Sequence, residues 1–254
     1  MEWARRRQWT VIAIIAAVVI AALCILAFAI FYKTPTCFDQ RQDGDETGID
    51  CGGSCSTVCS AQAQPASVRF ARALAQSGRQ DLIASIDNPN RDAYAKDARV
   101  TIDIYLQDGS TVEKHALMTL PANSSTPLFV PGIADGAIQQ VFVSFDQGSL
   151  VWTKGTGWDA PPPVSSNIAV GGDATAPRVT ATVTNQTAYV ENNVPLVVAV
   201  YAADGSVVAA SQTVVPMLPA QGSAQAVFTW NEPFSAPYAR IEVTPVPALP
   251  TPAP

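Results

Sequence analysis

The longest apolar stretch of the chain, VIAIIAAVVIAALCILAFAIFY, runs from Val11 to Tyr32 without a charged residue. As an α-helix it would be about 33 Å long, enough to cross a bilayer core of about 30 Å. Arginines at positions 5–7 precede it and only Lys33 follows closely, so the positive-inside rule places the N-terminus in the cytoplasm. We predict a cytoplasmic tail over 1–10, a signal-anchor helix over 11–32 that crosses the cell membrane once, and extracytoplasmic domains beyond it. Cleavage of the anchor stays an open alternative, although no convincing cleavage site follows the helix.

Beyond a cysteine-rich segment at 33–62, hydrophobic and polar residues alternate with a period of two, which is typical of half-buried strands. Two such runs lead into Asp-Gly-Ser, at 108–110 and 204–206, where Asp-Gly supplies the positive φ of a tight hairpin turn. The apolar faces of these runs consist of Val100, Ile102, Ile104 and Leu106, and of Leu196, Val198, Val200 and Ala202. The pattern predicts an all-β fold of two antiparallel β-sandwiches, over 63–160 and 161–246, and a proline-rich tail over 247–254.

The two predicted sandwiches correspond to each other in sequence at an offset of 96 to 98 residues. Asn88 matches Asn185, Tyr105 matches Tyr201, and Leu-Pro-Ala occurs near the end of both copies. Short loop insertions produce a small drift of this kind. We therefore interpret the body of the chain as a duplicated domain of about 90 residues.

The strands IDIYLQDGS and VAVYAADGS, followed by LPANSS and LPAQGS, resemble the FxLYD type of bacterial extracytoplasmic immunoglobulin-like domain. The motif tyrosine is present as Tyr105 and Tyr201. The phenylalanine and leucine of the motif are replaced by isoleucine or valine, and its aspartate by Leu106 and Ala202. The resemblance implies an immunoglobulin-like fold for both sandwiches and a role as a surface or envelope module without catalysis.

Composition excludes several classes of function. A formal net charge of −6 argues against binding nucleic acid through its phosphates. His115 is the only histidine, so metal sites with several histidine ligands are excluded, and a Ser-His-Asp or Cys-His arrangement would have to use this residue. We predict that His115 is an exposed strand residue and that the chain has no catalytic residue and no cofactor. Hydrolysis by a pair of carboxylates stays formally open.

The segment CFDQRQDGDETGIDCGGSCSTVC contains Cys37, Cys51, Cys55 and Cys59. An even set of cysteines outside the membrane predicts two disulfides, and the sequence leaves three pairings open. Zinc is disfavoured because the short spacings cluster at one end, and redox chemistry because there is no C-x-x-C. We assign no metal ligand, but calcium stays an open alternative because glycine turns lie among five carboxylates. These belong to Asp39, Asp43, Asp45, Glu46 and Asp50.

The same segment resembles a cysteine motif scattered through bacterial surface proteins, D-G-x-x-N-G-D-E-T-x-x-D-C-G-G-x-C. The chain departs from it at two positions, where Gln40 replaces the first glycine and Asp43 replaces the asparagine. The direct matches are Gly44, Asp45, Glu46, Thr47, Asp50, Cys51, Gly52, Gly53 and Cys55. The order of anchor helix, cysteine motif and paired sandwiches resembles uncharacterised single-pass surface proteins of bacteria. That resemblance implies no activity.

Tryptophans occur at the end of the first predicted sandwich, in the linker and in the second sandwich, as Trp152, Trp158 and Trp230. Exposed aromatic rings can stack on sugars, but aromatic rings near a domain junction more often pack the domains together. We therefore predict packing for these three residues and keep sugar binding as the alternative.

Together these features predict a non-catalytic, membrane-anchored extracytoplasmic module for surface adhesion, envelope assembly or partner binding. Its partner would be a protein or an envelope surface rather than nucleic acid. Two alternatives remain. The chain could be an extracytoplasmic carbohydrate-active enzyme or glycan-binding accessory, or it could be the ectodomain subunit of a membrane sensor complex.

Overall fold

The structure is a computed structural model that describes residues 2–31, 36–76, 78–145, 148 and 150–252. The chain divides into two compact units, Met1–Cys55 and Ser56–Pro254. The first unit contains a single described helix, α1 (Glu2–Phe31), and the irregular cysteine-rich segment. As predicted, α1 is a candidate membrane span, over Arg5–Ala29. Tyr32 and Lys33, at the C-terminal end of the predicted anchor, lie outside the described residues.

The second unit is all-β and its strands pair antiparallel, which confirms the predicted fold class. The strands of the first sandwich are β1 (Ser67–Gln76), β2 (Arg79–Asn88), β3 (Ala93–Leu106), β4 (Thr111–Leu120), β5 (Ser124–Ala134), β6 (Ile138–Phe145) and β7 (Trp152–Lys154). Those of the second are β8 (Val164–Asp173), β9 (Ala176–Thr184), β10 (Glu191–Tyr201), β11 (Val207–Leu218), β12 (Ser223–Thr229) and β13 (Arg240–Pro245). A two-residue strand, β14 (Thr251–Pro252), lies in the proline-rich tail.

The two sandwiches have the same order of strands. In the first, one sheet is β1-β2-β5 and the other contains β4-β3-β6, with β7 paired to the start of β3. In the second, the sheets are β8-β9-β12 and β11-β10-β13. The first six strands of one sandwich therefore match the six strands of the other, in the order in which they occur along the chain.

The predicted apolar faces form the two sandwich cores. Val100, Ile102 and Ile104 of β3 are fully buried in the first core. The alternate residues of β10 are fully buried in the second core, and these are Leu196, Val198 and Val200. The last member of each run, Leu106 or Ala202, is only partly buried because the strand ends there in the hairpin turn.

The Asp-Gly-Ser turns adopt the predicted backbone geometry. Gly109 and Gly205 have φ values of 86° and 82°, in the left-handed region that favours glycine. At each turn the aspartate carboxylate accepts a hydrogen bond of 2.9 Å from the backbone N–H of the serine two residues later. The residues of each turn are therefore enough by themselves to predict these hairpins.

Two asparagines at corresponding positions perform the same structural role. Asn88 is buried and donates hydrogen bonds to the carbonyls of Ala93, at 2.9 Å, and Pro121, at 2.8 Å. Asn185 is also buried and donates to a carbonyl of the turn that follows it, at 2.6 Å, and to Pro219, at 3.1 Å. Each side chain thus ties the turn after the second strand of its sandwich to the Leu-Pro-Ala turn.

A third hydrophobic cluster lies between the two sandwiches. It joins the outer face of sheet β1-β2-β5 to the outer face of sheet β11-β10-β13. Its buried members are Leu74, Ile83, Phe129, Val197, Ala199, Tyr201, Val207, Ala210 and Val246. Strands β2 and β10 are consequently buried on both faces, which explains why LIASI and PLVVAV are more continuously apolar than a half-buried strand requires.

The second unit extends beyond its sandwiches at both ends. The chain joins it from Ser56, ahead of the predicted start at residue 63, and the Val58 N–H donates to the Trp152 carbonyl at 2.8 Å. Gln64 and Asn90 exchange two hydrogen bonds, of 2.7 and 2.8 Å. At the other end, β14 pairs with β4 along an outer strand, which suits a proline-rich segment because proline has no N–H to donate within a sheet.

Candidate functional site

All four cysteines of the segment 33–62 are disulfide-bonded, which confirms the predicted staple. Cys37 pairs with Cys55, and Cys51 pairs with Cys59. The two bonds interleave along the sequence, and this is one of the three pairings that the sequence left open. Cys24, within α1, is free.

One group of potential metal ligands occurs in the described part of the cysteine-rich segment. The sulfurs of Cys37 and Cys55 and a carboxylate oxygen of Glu46 lie within 4.8 Å of one another. The two sulfurs form a single disulfide, whereas a metal requires thiolates. The nearby Glu46 Oε1 is 3.2 Å from the Cys55 sulfur, a contact rather than a hydrogen bond because neither atom carries a proton. This arrangement supports a covalent staple rather than a zinc site.

Two carboxylates of the segment hold its backbone. Asp50 accepts the N–H groups of Asp39, at 2.9 Å, and of Gln40, at 3.0 Å. Glu46 Oε2 accepts the N–H groups of Asp43, at 3.4 Å, and of Asp50, at 3.2 Å. From residue 36, where its described part begins, the segment contains neither helix nor strand, so these side chains replace the backbone acceptors that regular structure would provide.

Asp43 is the exception among these acids. Its Oδ1 is buried and makes no hydrogen bond with the described residues. Partial burial raises the pKa of the Asp43 carboxyl above its usual value, and the charges of Asp39 and Asp50 raise it further. Asp43 occupies the position at which the motif that this segment resembles has asparagine, a residue that carries no charge.

Backbone geometry explains the paired glycines of the segment. Gly52 and Gly53 have φ values of +79° and +53°. A Cβ on Gly52 would lie 1.8 Å from Thr47 Oγ1, and one on Gly53 would lie 2.1 Å from the Asp45 carbonyl oxygen. Gln40 also has a positive φ, 62°, at the position where the resembled motif has glycine. The tight folding of the loop therefore explains why positions 52 and 53 are both glycine.

His115 lies on the outer face of β4, in a strand as predicted, but its side chain is half-buried, at 31% exposure, rather than exposed. Its Nδ1 is 3.3 Å from the Thr101 hydroxyl and its Nε2 is 3.1 Å from the Glu113 carboxylate. Thr101 and His115 are directly opposed in the β3–β4 ladder, and Glu113 is two residues along the same face. The contacts are those of ordinary cross-strand neighbours. None of the three residues lines the cleft described next.

A cleft of about 690 Å³ opens where the linker joins the two sandwiches. Half-buried Tyr94 and Trp158 contribute aromatic surface to its wall, and Asn192 and Asn193 contribute amides. Its charged lining residues are Lys96, Lys154, Asp159 and Glu191. Sequence analysis singled out Trp158 but missed the cleft, because its lining is assembled from β3, the linker, β10 and the segment after β13.

Sequence analysis also missed a polar network at the interface of the sandwiches. Gln76 Nε2 donates to the Ala210 carbonyl at 2.6 Å and to Asp81 at 2.8 Å, and the Ala210 N–H donates back to Gln76 Oε1 at 3.3 Å. Asp81 is fully buried and also accepts from Arg79, at 2.8 Å, and from the Gly132 N–H, at 2.9 Å. The network lies beside the third cluster, so apolar burial and hydrogen bonds fix the same interface.

A comparison with protein-family models finds no match, and neither does a comparison with curated proteins. Among solved structures, the chain is similar to the crystal structure of red sea bream transglutaminase, with 14% sequence identity and a TM-score of 0.23. The alignment covers 71% of this chain and 29% of that one, so the chain spans under a third of that protein's length. A score this low does not establish a shared fold, and we base no functional argument on it.

Proposed function

We propose that this chain is a non-catalytic module that is anchored in the membrane by α1 and presents two rigidly joined β-sandwiches outside the cell membrane. One observation carries the proposal: a disulfide-bonded segment follows directly after an apolar helix long enough to span a bilayer. Disulfides persist in oxidising compartments and are rare in the cytosol. The arginines before α1 support the same orientation, with the N-terminus inside.

The interface between the sandwiches supports a role that needs a fixed geometry. Domain pairs joined only by a flexible linker reorient freely, whereas an apolar interface with satisfied buried polar groups holds one arrangement. Here the third cluster buries residues from both sandwiches, and Gln76 bonds to the backbone of the opposite sheet. A rigid pair of this kind suits adhesion, envelope assembly or the display of a binding surface at a fixed position.

The setting of His115 favours binding over catalysis. A catalytic imidazole acts on a substrate held in a pocket beside a nucleophile and groups that stabilise developing charge. His115 instead lies on an outer sheet face, with partners that its position in the ladder supplies. We therefore extend the non-catalytic assignment to the whole second unit.

We also propose that the sandwiches are duplicated immunoglobulin-like domains of the FxLYD type and that residues 37–55 belong to the cysteine motif that they resemble. The shared order of strands and the matching roles of Asn88 and Asn185 support the duplication. The tightly folded loop at Gly52 and Gly53 supports the motif. Neither resemblance supplies an activity or names a partner.

The topology is tested on the full chain expressed in bacterial cells, with an epitope at each end in separate preparations. Protease added to intact cells should remove the C-terminal epitope and leave the N-terminal one intact. Mass spectrometry of non-reduced and reduced samples should show that reduction adds four hydrogen atoms to the chain, one for each sulfur of the two disulfides. Protection of the C-terminal epitope, or four free thiols, would overturn the proposed function.

A further inference from the structure

The structure separates the three tryptophans that the sequence grouped together. Trp152 and Trp230 are each 4% exposed and belong to the cores of the first and second sandwich. Trp158 belongs to none of the three described clusters, is only half-buried, and lines the cleft at the linker. Core packing therefore explains the first two and leaves Trp158 without such a role.

The loop that carries Trp158 is held in place by its backbone. The Gly155 N–H donates to the Asp92 carbonyl at 2.7 Å, and the Ala122 N–H donates to the Thr156 carbonyl at 2.9 Å. The Thr156 hydroxyl accepts from the Trp158 N–H at 3.3 Å. The indole is thus presented on a loop that is ordered before any ligand binds, which lowers the entropic cost of binding.

Close packing under the loop requires a glycine. Gly157 has φ +81°, and a Cβ there would lie 2.9 Å from the Tyr94 Cβ and 3.1 Å from the Pro121 Cα. The loop therefore lies directly against Tyr94, which lines the same cleft. The two aromatic residues of the wall are fixed relative to each other by this contact.

The charged groups of the cleft balance in sign and include an unsatisfied acceptor. Two lysines, Lys96 and Lys154, and two acids, Asp159 and Glu191, are among the lining residues. Glu191 Oε1 is buried and has no hydrogen-bond partner among the described residues. Because this oxygen has no accessible surface, a ligand in the cleft meets other polar groups of the lining, and the exposed amides of Asn192 and Asn193 can pair with its hydroxyls.

We propose that this cleft binds an uncharged oligosaccharide, with one sugar ring stacked on Trp158 and sugar hydroxyls hydrogen-bonded to the amides of Asn192 and Asn193. A sugar ring offers an apolar C–H face and a rim of hydroxyls, which matches a wall of aromatic, amide and carboxylate groups. A purely apolar ligand would bury these polar groups unpaired. A strongly charged polymer would gain no net attraction from a lining of balanced charge. The volume of about 690 Å³ is in the range of ordinary ligand sites.

This inference rests on the proposed function, since the cleft meets extracellular saccharides only if the second unit lies outside. The test uses the full chain in detergent micelles with cellotriose, maltotriose and N-acetylated chitotriose as neutral probes, and trigalacturonate and chitosan trisaccharide as charged ones. Binding is followed by calorimetry and by tryptophan fluorescence. We expect at least one neutral trisaccharide to bind, and Trp158→Ala to weaken its binding by roughly tenfold or more.

Tyr105→Ala is the matched control, because it removes an exposed aromatic residue far from the cleft lining and should leave the affinity unchanged. Thermal unfolding of every variant separates a lost contact from a lost fold. Absence of binding by all neutral probes at about 10 mM, binding of the charged probes alone, or full affinity in a folded Trp158→Ala variant would overturn the inference. If the chain is exposed outside the membrane and disulfide-bonded but binds no saccharide, only this inference is overturned. If the C-terminus is protected from protease, the proposed function is overturned as well.

Discussion

The side-chain amide of Gln76 pairs with the backbone of Ala210 across the two sandwiches, donating at 2.6 Å and accepting at 3.3 Å. A glutamine amide thus takes the place of a peptide group and continues the hydrogen bonding of β11 into the neighbouring sandwich. Because its N–H₂ group also donates to the buried Asp81, the same side chain links the interface to the interior of the first sandwich.

Removing this amide should weaken the interface. Gln76→Ala removes the hydrogen bonds to the Ala210 N–H and carbonyl and one of the donors to Asp81 Oδ2, which keeps Arg79 at 3.1 Å, so we expect a loss of about 2 kcal/mol in the free energy of unfolding. Chemical denaturation of the full chain measures this loss, and limited proteolysis between the sandwiches should accelerate in parallel. Gln225→Ala, at an exposed position of β12, is the control and should change stability by less than about 0.5 kcal/mol. Equal stability of the two variants would contradict the role of Gln76.

Tyr201 should make the interface sensitive to alkaline pH. Its burial, followed by the charge of Glu242, raises the pKa of Tyr201 to about 12 from its usual value of 10.0. The folded state therefore favours the protonated phenol, so its contribution to stability is complete below about pH 10 and is lost as the pH rises through about 12. We expect Tyr201→Phe to lose less stability than the unsubstituted chain over this window, measured by denaturation at each pH.

The corresponding tyrosine of the first sandwich provides the control for this experiment. Tyr105 is 42% exposed and contacts Phe142 edge-on at 5.8 Å, so Tyr105→Phe should follow the unsubstituted chain across the same pH range. Identical curves for the Tyr201 and Tyr105 variants would show that Tyr201 does not titrate at the interface.

Replacing Asp43 with asparagine should stabilise the cysteine-rich segment at neutral pH. The raised pKa of Asp43 means that its ionised form is unfavourable in the folded segment, because the carboxyl is partly buried and because Asp39 and Asp50 are close. The sign follows from linkage: the stability that Asp43 contributes is present at low pH and lost as the pH rises through its raised pKa. We expect Asp43→Asn to resist reduction by a water-soluble phosphine, which acts at acid pH as well, longer than the unsubstituted chain at pH 7 but not near pH 3. Asp45→Asn, which removes a charge that does not act on Asp43, should show no such gain.

Replacing a glycine of the segment with alanine should be unfavourable for two reasons that can be measured separately, a positive φ and a steric clash. Gly53→Ala introduces both an unfavourable positive φ and a clash with the Asp45 carbonyl, and should cost roughly 3 kcal/mol and reduce formation of the Cys37–Cys55 bond. Gly132→Ala places alanine at φ +62° with open space around it, so it should cost only about 1 kcal/mol. Disulfide content by mass spectrometry and unfolding curves check both values, and equal costs would argue against the clash.

Calcium should leave the segment unchanged. Asp50 and Glu46 already accept backbone N–H groups, so a calcium ion would have to compete with hydrogen bonds that hold the loop. We expect calorimetric titration to give a Kd no tighter than about 1 mM and calcium to leave the melting temperature unchanged. Submicromolar binding would contradict this expectation and reopen the calcium alternative.

Local sequence patterns were enough to predict the elements. The uninterrupted run before Tyr32 predicts α1, and alternation in β3 and β10 predicts which residues enter each core, because helix and strand periods are properties of adjacent residues. Asp-Gly-Ser predicts the hairpins for the same reason. The pairing of the cysteines could not be derived in this way, since all three pairings satisfy the same composition and only the path of the chain chooses between them.

The sequence by itself therefore determined a membrane-length helix, a disulfide-bonded segment and two sandwiches with a common order of strands. Only the tertiary structure decided what the outer faces of the sandwiches contact. Tyr105 and Tyr201 each lie three residues before the aspartate of an Asp-Gly-Ser turn, yet one is exposed and the other is buried between the sandwiches. Alternation tells which residues share a face but carries no information about what that face meets, because the contact is made with residues far away in the chain. For the same reason, Trp158 and Glu191 line the same cleft only after the chain has folded.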